Sequence, residues 1–294
     1  MNAIELYGVT YCNKNATILD SLHLLVRQGQ IVEIIGKADA GKTALLQLLS
    51  GILTPVAGAG KLLGADMDKL KESGIQFQIG YVPRMLGLCN ELAIVTQIEL
   101  FADLYQVSRT ELRQAITTVL AAAKLQEFAQ ISIAKLTPKQ KLFLAVAIAV
   151  VHSPKLLLLD EPAAYLETDD RLEFLQLLKA LANKGITIVL VTQDILTDLY
   201  CDQLVFMKEG KFVAAGTVAE LCNTFPRVCM EANAVTMMKT DSFAKFGQYS
   251  VGSYLSGRFI RVIAKPGQET ILEGYGFYKT VPCLKDVKLL YEKL

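Results

Sequence analysis

Gly36-Lys37-Ala38-Asp39-Ala40-Gly41-Lys42-Thr43 is the stretch that decides how this chain is read. The apolar run Ile31-Val32-Glu33-Ile34-Ile35 precedes it and Ala44-Leu45-Leu46-Gln47-Leu48-Leu49-Ser50 follows, giving the order strand, tight loop, helix. In that setting the octet reads as a phosphate loop, in which successive backbone N–H groups and a helix N-terminus form a concave anion site. The glycines let the backbone approach phosphates. Lys42 would reach the β- and γ-phosphates as a point charge, and the Thr43 hydroxyl suits Mg²⁺. The nucleotide-binding set is therefore Gly36, Lys37, Ala38, Asp39, Ala40, Gly41, Lys42, Thr43 and Ala44.

Asp39 stands where many such loops carry glycine, and two readings of it stay open. A carboxylate facing the phosphates would weaken ATP binding, since like charges ~4 Å apart repel by about 4 kcal/mol near a protein surface. Turned to solvent, it would leave the loop intact, because Asp tolerates left-handed backbone angles.

A second motif lies about 120 residues on, and its pairing with an upstream phosphate loop weighs against a plain surface turn. Lys155-Leu156-Leu157-Leu158-Leu159-Asp160-Glu161-Pro162 is an unbroken apolar run ending in two acids, as expected of a parallel strand buried on both faces. Ligands in open α/β sheets lie beyond the carboxyl ends of strands, where Asp160 and Glu161 would sit. Asp160 can hold Mg²⁺, directly or through water, and Glu161 can polarise an attacking water.

The remaining elements supply the context. Ile4 to Thr10 and Leu22 to Val26 suit strands around the polar loop Asn13-Lys14-Asn15, and Tyr11 is a candidate to stack on a base. Thr54 to Gly58 is a turn, a short strand follows to Gly64, and Ile79 to Arg84 reads as another strand. From Glu91 to Gln130 the spacing turns helical, with Ser108 and Glu111 as a capping box. Leu136 to Val151 reads as a buried helix capped by Thr137, with Pro138 in its first position. A helix from Asp169 to Asn183 and a strand from Ile186 to Val191 follow, ending in Thr192-Gln193-Asp194. Two short strands come next, Gln203 to Lys208 and Lys211 to Ala214, then a helix capped by Thr217 and Glu220. Periodicity weakens from Asn223 to Gln248. Beyond it, Phe259 to Ile263 alternates like a strand and Leu284 to Leu294 reads as a helix.

Composition narrows the function classes. With 294 residues the chain has room for two domains, or one with an extension. Thirty basic against 29 acidic residues give a net charge of +1, so no field toward nucleic acid is implied. The hydrophobic fraction is high at 52%, yet the longest uncharged apolar run, Leu142 to Val151, is far short of the ~20 residues a membrane helix needs. Met1-Asn2-Ala3-Ile4-Glu5 shows no signal-peptide pattern. Buried strands and a surface that docks on another protein account for such an excess. The six cysteines form no C-x-x-C pair, and free thiols in a reducing cytosol are expected.

Taken together, residues 4 to about 222 resemble the ATP-binding subunit of ABC transporters. The ending Pro282-Cys283-Leu284-Lys285-Asp286-Val287 looks like the C-terminal piece of the type-2 exporter group, which serves multidrug, antibiotic and polysaccharide export. In that group ATPase and membrane permease are separate chains. The resemblance implies an α/β fold: a P-loop NTPase core of ABC type, with an antiparallel β subdomain and a helical insert over about 85–152. Residues 1–222 would form the ATP-binding domain and 223–294 a small α+β accessory domain. It further implies ATP and Mg²⁺, a permease partner, a second ATPase chain across a dimer interface, and a place on the inner face of the cell membrane.

Carried over by position, the family's roles meet several departures. Thr43 and Asp160 fall on the metal ligands and Glu161 on the catalytic carboxylate. Arg84 replaces a glutamine that senses the γ-phosphate, and a cation there can contact phosphate but not metal. Leu136-Thr137-Pro138-Lys139-Gln140 stands for the Leu-Ser-Gly-Gly-Gln signature that closes on the partner's nucleotide, so Thr137, Pro138, Lys139 and Gln140 form the trans set. Pro138 there removes a donor and Lys139 adds bulk. Ala163-Ala164-Tyr165-Leu166-Glu167 departs from the usual loop after the acids, and Asn13 competes with Tyr11 for the base-stacking position. Gln193 replaces the switch histidine, offering an amide hydrogen bond without the imidazolium charge.

The resemblance thus implies an ATPase whose hydrolysis is slow or carried by a different subunit. The competing reading is a binding subunit that gates a complex beside an intact partner. A soluble ATPase acting on DNA or the ribosome fits the near-neutral charge and single cassette poorly. A small GTPase also fits poorly, because Asn183-Lys184-Gly185-Ile186 lacks the acid of the guanine motif.

Overall fold

The computed structural model describes residues 1–14, 16–122, 124–196, 200–238 and 246–293. Asn15 of the first loop, Leu294 of the last helix and part of the weak stretch after Asn223 lie outside the described residues. The chain divides into two compact units, Met1–Phe212 and Val213–Leu294, with the division inside a strand and ahead of Asn223.

The first unit runs β1 (Asn2–Asn13), β2 (Ala16–Arg27), β3 (Ile31–Ile35), α1 (Lys42–Leu49), β4 (Ala57–Leu62), β5 (Ala65–Asp66) and β6 (Ile79–Val82). It continues with α2 (Ile94–Leu104), α3 (Arg109–Ala122), α4 (Pro138–Ala149), β7 (Leu156–Asp160), α5 (Asp170–Asn183), β8 (Thr187–Thr192), β9 (Gln203–Lys208) and the start of β10 (Lys211–Gly216). Strands β2-β1-β4-β5 form an antiparallel sheet. In the central sheet β9-β3-β8-β7-β6 run parallel. The unit is a P-loop NTPase fold.

The apolar runs of the sequence are explained by cover on both faces. Leu157, Leu159, Ile188 and Leu190 enter one apolar cluster with α2, α4 and α5. Their neighbours Leu156, Leu158, Val189 and Val191 enter a second, with α1 and the antiparallel sheet. Burying a side chain of that size contributes roughly 1.5–3 kcal/mol before chain entropy is counted, so this double layer fixes where β3 and β7 end. The hairpin β1–β2 is longer than its hydrophobic alternation indicated, because antiparallel pairing carries its polar ends as well.

The second unit holds α6 (Val218–Asn223), β11 (Cys229–Asn233), α7 (Ala234–Met238), β12 (Ser250–Ser256), β13 (Phe259–Ala264), α8 (Glu269–Gly274), β14 (Tyr278–Thr280) and α9 (Leu284–Lys293). Its antiparallel sheet has the order β12-β13-β11-β14. Met230, Ala232, Ile260, Val262 and Leu272 form its core. Strand β11 had no clear periodic signal because Cys229-Met230-Glu231-Ala232-Asn233 lacks β-branched residues; pairing with β13 and β14 on both sides fixes it.

Candidate functional site

Strand β3 delivers the phosphate loop and β7 delivers the two acids, with β8 between them. The last rungs carry past the strand ends, where Gly36 N–H donates to Thr192 O at 3.1 Å and Glu161 N–H to Val191 O at 2.9 Å. This registers the loop against the acids. Gly36 cannot be larger, since a Cβ there would lie 2.4 Å from Met207 O. Gly41 takes φ +97° at the N-cap of α1, a backbone region costly for other residues. No side chain caps α1, so its first N–H groups remain for an anion.

Lys42 is 3% exposed, and its ammonium is spent internally. It donates to Gly36 O and Lys37 O, each at 2.6 Å, and lies 3.2 Å from Glu161 Oε1. Two backbone carbonyls and one carboxylate thus surround the ammonium. Phosphate would have to draw the ammonium away from Glu161. Glu161, with φ 53° and ψ 47°, also accepts the Gln193 backbone N–H on Oε2 at 3.1 Å. The main chain of Gln193 therefore meets the catalytic candidate, while its side chain belongs to an exposed residue.

Thr43 Oγ1 donates to Asp160 Oδ2 at 2.9 Å. Neighbouring ligands of an octahedral Mg²⁺ at ~2.1 Å sit about 2.9–3.0 Å apart, so the pair already has the spacing the ion requires. Asp160 Oδ1 is buried with no hydrogen-bond partner, which leaves a lone pair for a cation. These residues fit Mg²⁺. Burial pushes the Asp160 carboxyl up; donation from Thr43 and the cations Arg84 and Lys42 oppose this, Glu161 adds to it, and the net direction is upward.

The other candidates are placed as follows. Asp39 is exposed and does not take a positive φ, so its tolerance of left-handed angles is not called upon. Lys37 and Ala38 are exposed, Ala40 is buried and Ala44 packs beside the second cluster. Tyr11 is half-buried against that same cluster. Arg84 is exposed yet close enough to bias Asp160, and its carbonyl accepts the Tyr165 hydroxyl. The unusual loop after the acids thus ties back to Arg84, two residues past the end of β6.

The N-terminus of α4 is closed on itself. Thr137 N–H donates to Gln140 Oε1 at 2.9 Å and Gln140 N–H to Thr137 Oγ1 at 3.2 Å, a complete capping box with Pro138 inside it. Lys139, of the expected trans set, meets Asp170 at 2.7 Å and Glu173 at 2.6 Å on α5. Glu173 also holds Lys124 at 2.6 Å, and donation from Lys124 and Lys139 keeps its carboxyl below the usual range. This brace was not expected from the sequence, where Asp170 and Glu173 were not singled out within the helix from Asp169 to Asn183.

Glu33 was missed as well. It is fully buried in β3, where Oε1 accepts the Thr192 hydroxyl at 2.8 Å and Leu196 N–H at 2.7 Å. It steadies the segment that carries Gln193. A lone acid inside a five-residue apolar strand was the available signal.

Residues 19–164 match the family model described as ABC transporter. The Nod factor export ATP-binding protein I of Neorhizobium galegae is 31% identical over 215 residues, covering 73% of this chain and 62% of that protein. The methionine import ATP-binding protein MetN of Haemophilus influenzae is 30% identical over 214 residues, covering 71% and 62%. The chain therefore spans less than two thirds of the length of these relatives. Among solved structures, cbiO1 from Clostridium perfringens, part of the ABC transporter complex cbiONQ, aligns with TM-score 0.69 and 25% identity, covering 75% of this chain and 90% of that one. The ATP-binding cassette MJ0796, solved as a dimer bound to ADP and Pi, aligns with TM-score 0.65 and 25% identity, covering 73% and 98%.

Proposed function

We propose that the chain, whose residues 19–164 match the ABC transporter family model, is the ATP-binding subunit of a membrane transporter, working with a separate permease and a second ATPase chain. The observation that carries this is the meeting of Lys42 with Glu161 at 3.2 Å and of Thr43 with Asp160 at 2.9 Å. ATP entering the loop would take Lys42 from Glu161, leaving that carboxylate to orient a water toward the γ-phosphate. Mg²⁺, held by Thr43 and Asp160, would neutralise charge on the phosphates. Arg84 and the Gln193 amide would approach the γ-phosphate, and Tyr11 the base. The first unit carries this chemistry and the second serves as accessory. Export is favoured by the resemblance of the 282–287 segment to type-2 exporters, and the work site would be the inner face of the cell membrane. The net charge of +1 favours no nucleic-acid role.

A second reading is favoured by the closed end of α4. With Pro138 lacking an N–H and Thr137 and Gln140 spending theirs on each other, this chain offers little to a partner's γ-phosphate. It would then be the hydrolysis-poor half of a heterodimer whose partner has an intact signature.

Turnover separates the two. The purified chain alone is expected to hydrolyse ATP slowly, with Glu161→Gln changing little. Brisk turnover abolished by that substitution would make this chain a motor in its own right. Pull-down from detergent-solubilised membranes, read by mass spectrometry, tests the partners: a permease with a second ATPase supports the heterodimer, and a permease alone supports a homodimer. Recovery of neither removes the transport reading.

A further inference from the structure

The second unit contains a cleft whose walls carry unspent charge. Its volume is about 460 Å³, and it lies between Phe225-Pro226-Arg227-Val228 and the stretch from Ala264 to Glu269. Small-molecule clefts run from about 300 to 1,000 Å³. The walls are preformed: Ala264 N–H donates to Val228 O at 2.9 Å, and Gln268 N–H returns to Lys265 O at 3.0 Å across the Pro266-Gly267 turn.

Arg227 and Glu269 both line this cleft, yet neither has an ion-pair partner among the described residues. Arg227 Nε is buried with no hydrogen-bond partner. Leaving such a donor unpaired is costly, and more so for a charged group. By contrast, Arg261 of the same unit spends its donors on Glu231, Asp286 and Val281 O. A guanidinium fork matches a carboxylate or phosphate. A bare anion would be repelled by Glu269, whereas a ligand that also carries an ammonium would satisfy both walls. Pro226, Val228, Ala264 and Pro266 leave the rest of the surface apolar.

We propose that this cleft binds a small zwitterion, its oxyanion taken by Arg227 and its ammonium by Glu269. Apolar α-amino acids and phosphoethanolamine headgroups share that chemistry. The site is independent of the nucleotide reading, and its ligand could be lost without loss of ATP binding.

The test uses the full chain in calorimetric titrations with leucine and O-phosphoethanolamine, and with N-acetylleucine and leucinamide as single-charge controls. Flotation with phosphatidylethanolamine vesicles is compared with phosphatidylcholine vesicles, whose quaternary ammonium has no N–H. A zwitterion is expected to bind at least about tenfold more tightly than either control, a difference typical of one charge-assisted pair. Arg227→Gln should weaken binding by a similar factor, and Glu269→Gln should erase the preference for leucine over N-acetylleucine. Unchanged ATP binding and thermal midpoint in both variants show that the fold is intact. Binding of leucine without vesicle recruitment assigns the free amino acid, and recruitment by phosphatidylethanolamine alone assigns the headgroup. Absence of binding to every probe overturns the proposal, as does equal binding by Arg227→Gln or by the single-charge controls.

Discussion

Three helix N-termini in this chain have different fates. At α1, Gly41 is the N-cap and no side chain closes the end. At α4, Thr137 and Gln140 close the end on each other and Lys139 is drawn off to α5. At α9, Asp286 accepts Cys283 N–H at 2.8 Å while Arg261 holds the same carboxylate at 2.7 Å. An uncapped N-terminus keeps a partial positive charge for a ligand, and a capped one converts it into local stability. The contrast separates a site from scaffolding without reference to motif names. Thr137 and Gln140 thereby fall on the scaffolding side.

The comparison can be broken most sharply at α9. Burial by itself would push the Asp286 carboxyl up, but donation from Arg261, Cys283 N–H and Tyr254 brings it below its ordinary value. A depressed folded value means that the stabilisation is present above about pH 3.9, the free-carboxyl value, and is lost as pH falls through the folded value. Asp286→Ala, which takes from Arg261 the fully buried one of its two carboxylate partners, is expected to cost ~3–5 kcal/mol and to flatten the acid limb of stability against pH. Chemical denaturation from neutral to acid pH reads both.

Lys42→Ala comes next. Losing charge-assisted bonds of ~1.5–3 kcal/mol each should weaken ATP binding by about tenfold to several hundredfold. A fluorescent-nucleotide titration with unchanged affinity would show that the uncapped end of α1 is not the phosphate site. Thr137→Ala should act on stability alone, by ~1 kcal/mol, or a fall of about 2–4 °C in Tm for a unit of this size. Reduced ATP turnover at an unchanged Tm would instead return α4 to the nucleotide. The smallest effect is expected from Asp39→Gly. The residue is exposed, solvent screens its charge, and ATP affinity should move by less than about threefold. A larger gain would mean that the carboxylate turns toward the phosphates when nucleotide binds.

Much of the fold was legible because its signals are local. The apolar runs of β3, β7 and β8 need only burial on both faces, and Thr137-Pro138 and Thr217 with Glu220 announce helix starts from their own chemistry. Gln140 was read only as part of a signature, yet it completes the cap of α4. Strand β11 was illegible because its own residues do not prefer extended structure and its pairing comes from distant strands. Glu33 was hidden inside an apolar run, and the Lys139 brace depends on two acids of α5 about thirty residues away.

By itself the sequence determined that a strand feeds a glycine-bounded loop with Lys42 and Thr43, and that a second buried strand ends in Asp160 and Glu161. Those are properties of contiguous residues, set by backbone sterics and burial. Tertiary structure alone decided that Lys42 rests on Glu161, that Thr43 and Asp160 stand at magnesium-ligand spacing, and that Lys139 meets α5. Each joins residues far apart in the chain, and only the order of strands in the sheet and the packing of α4 on α5 bring their charges within a few ångströms.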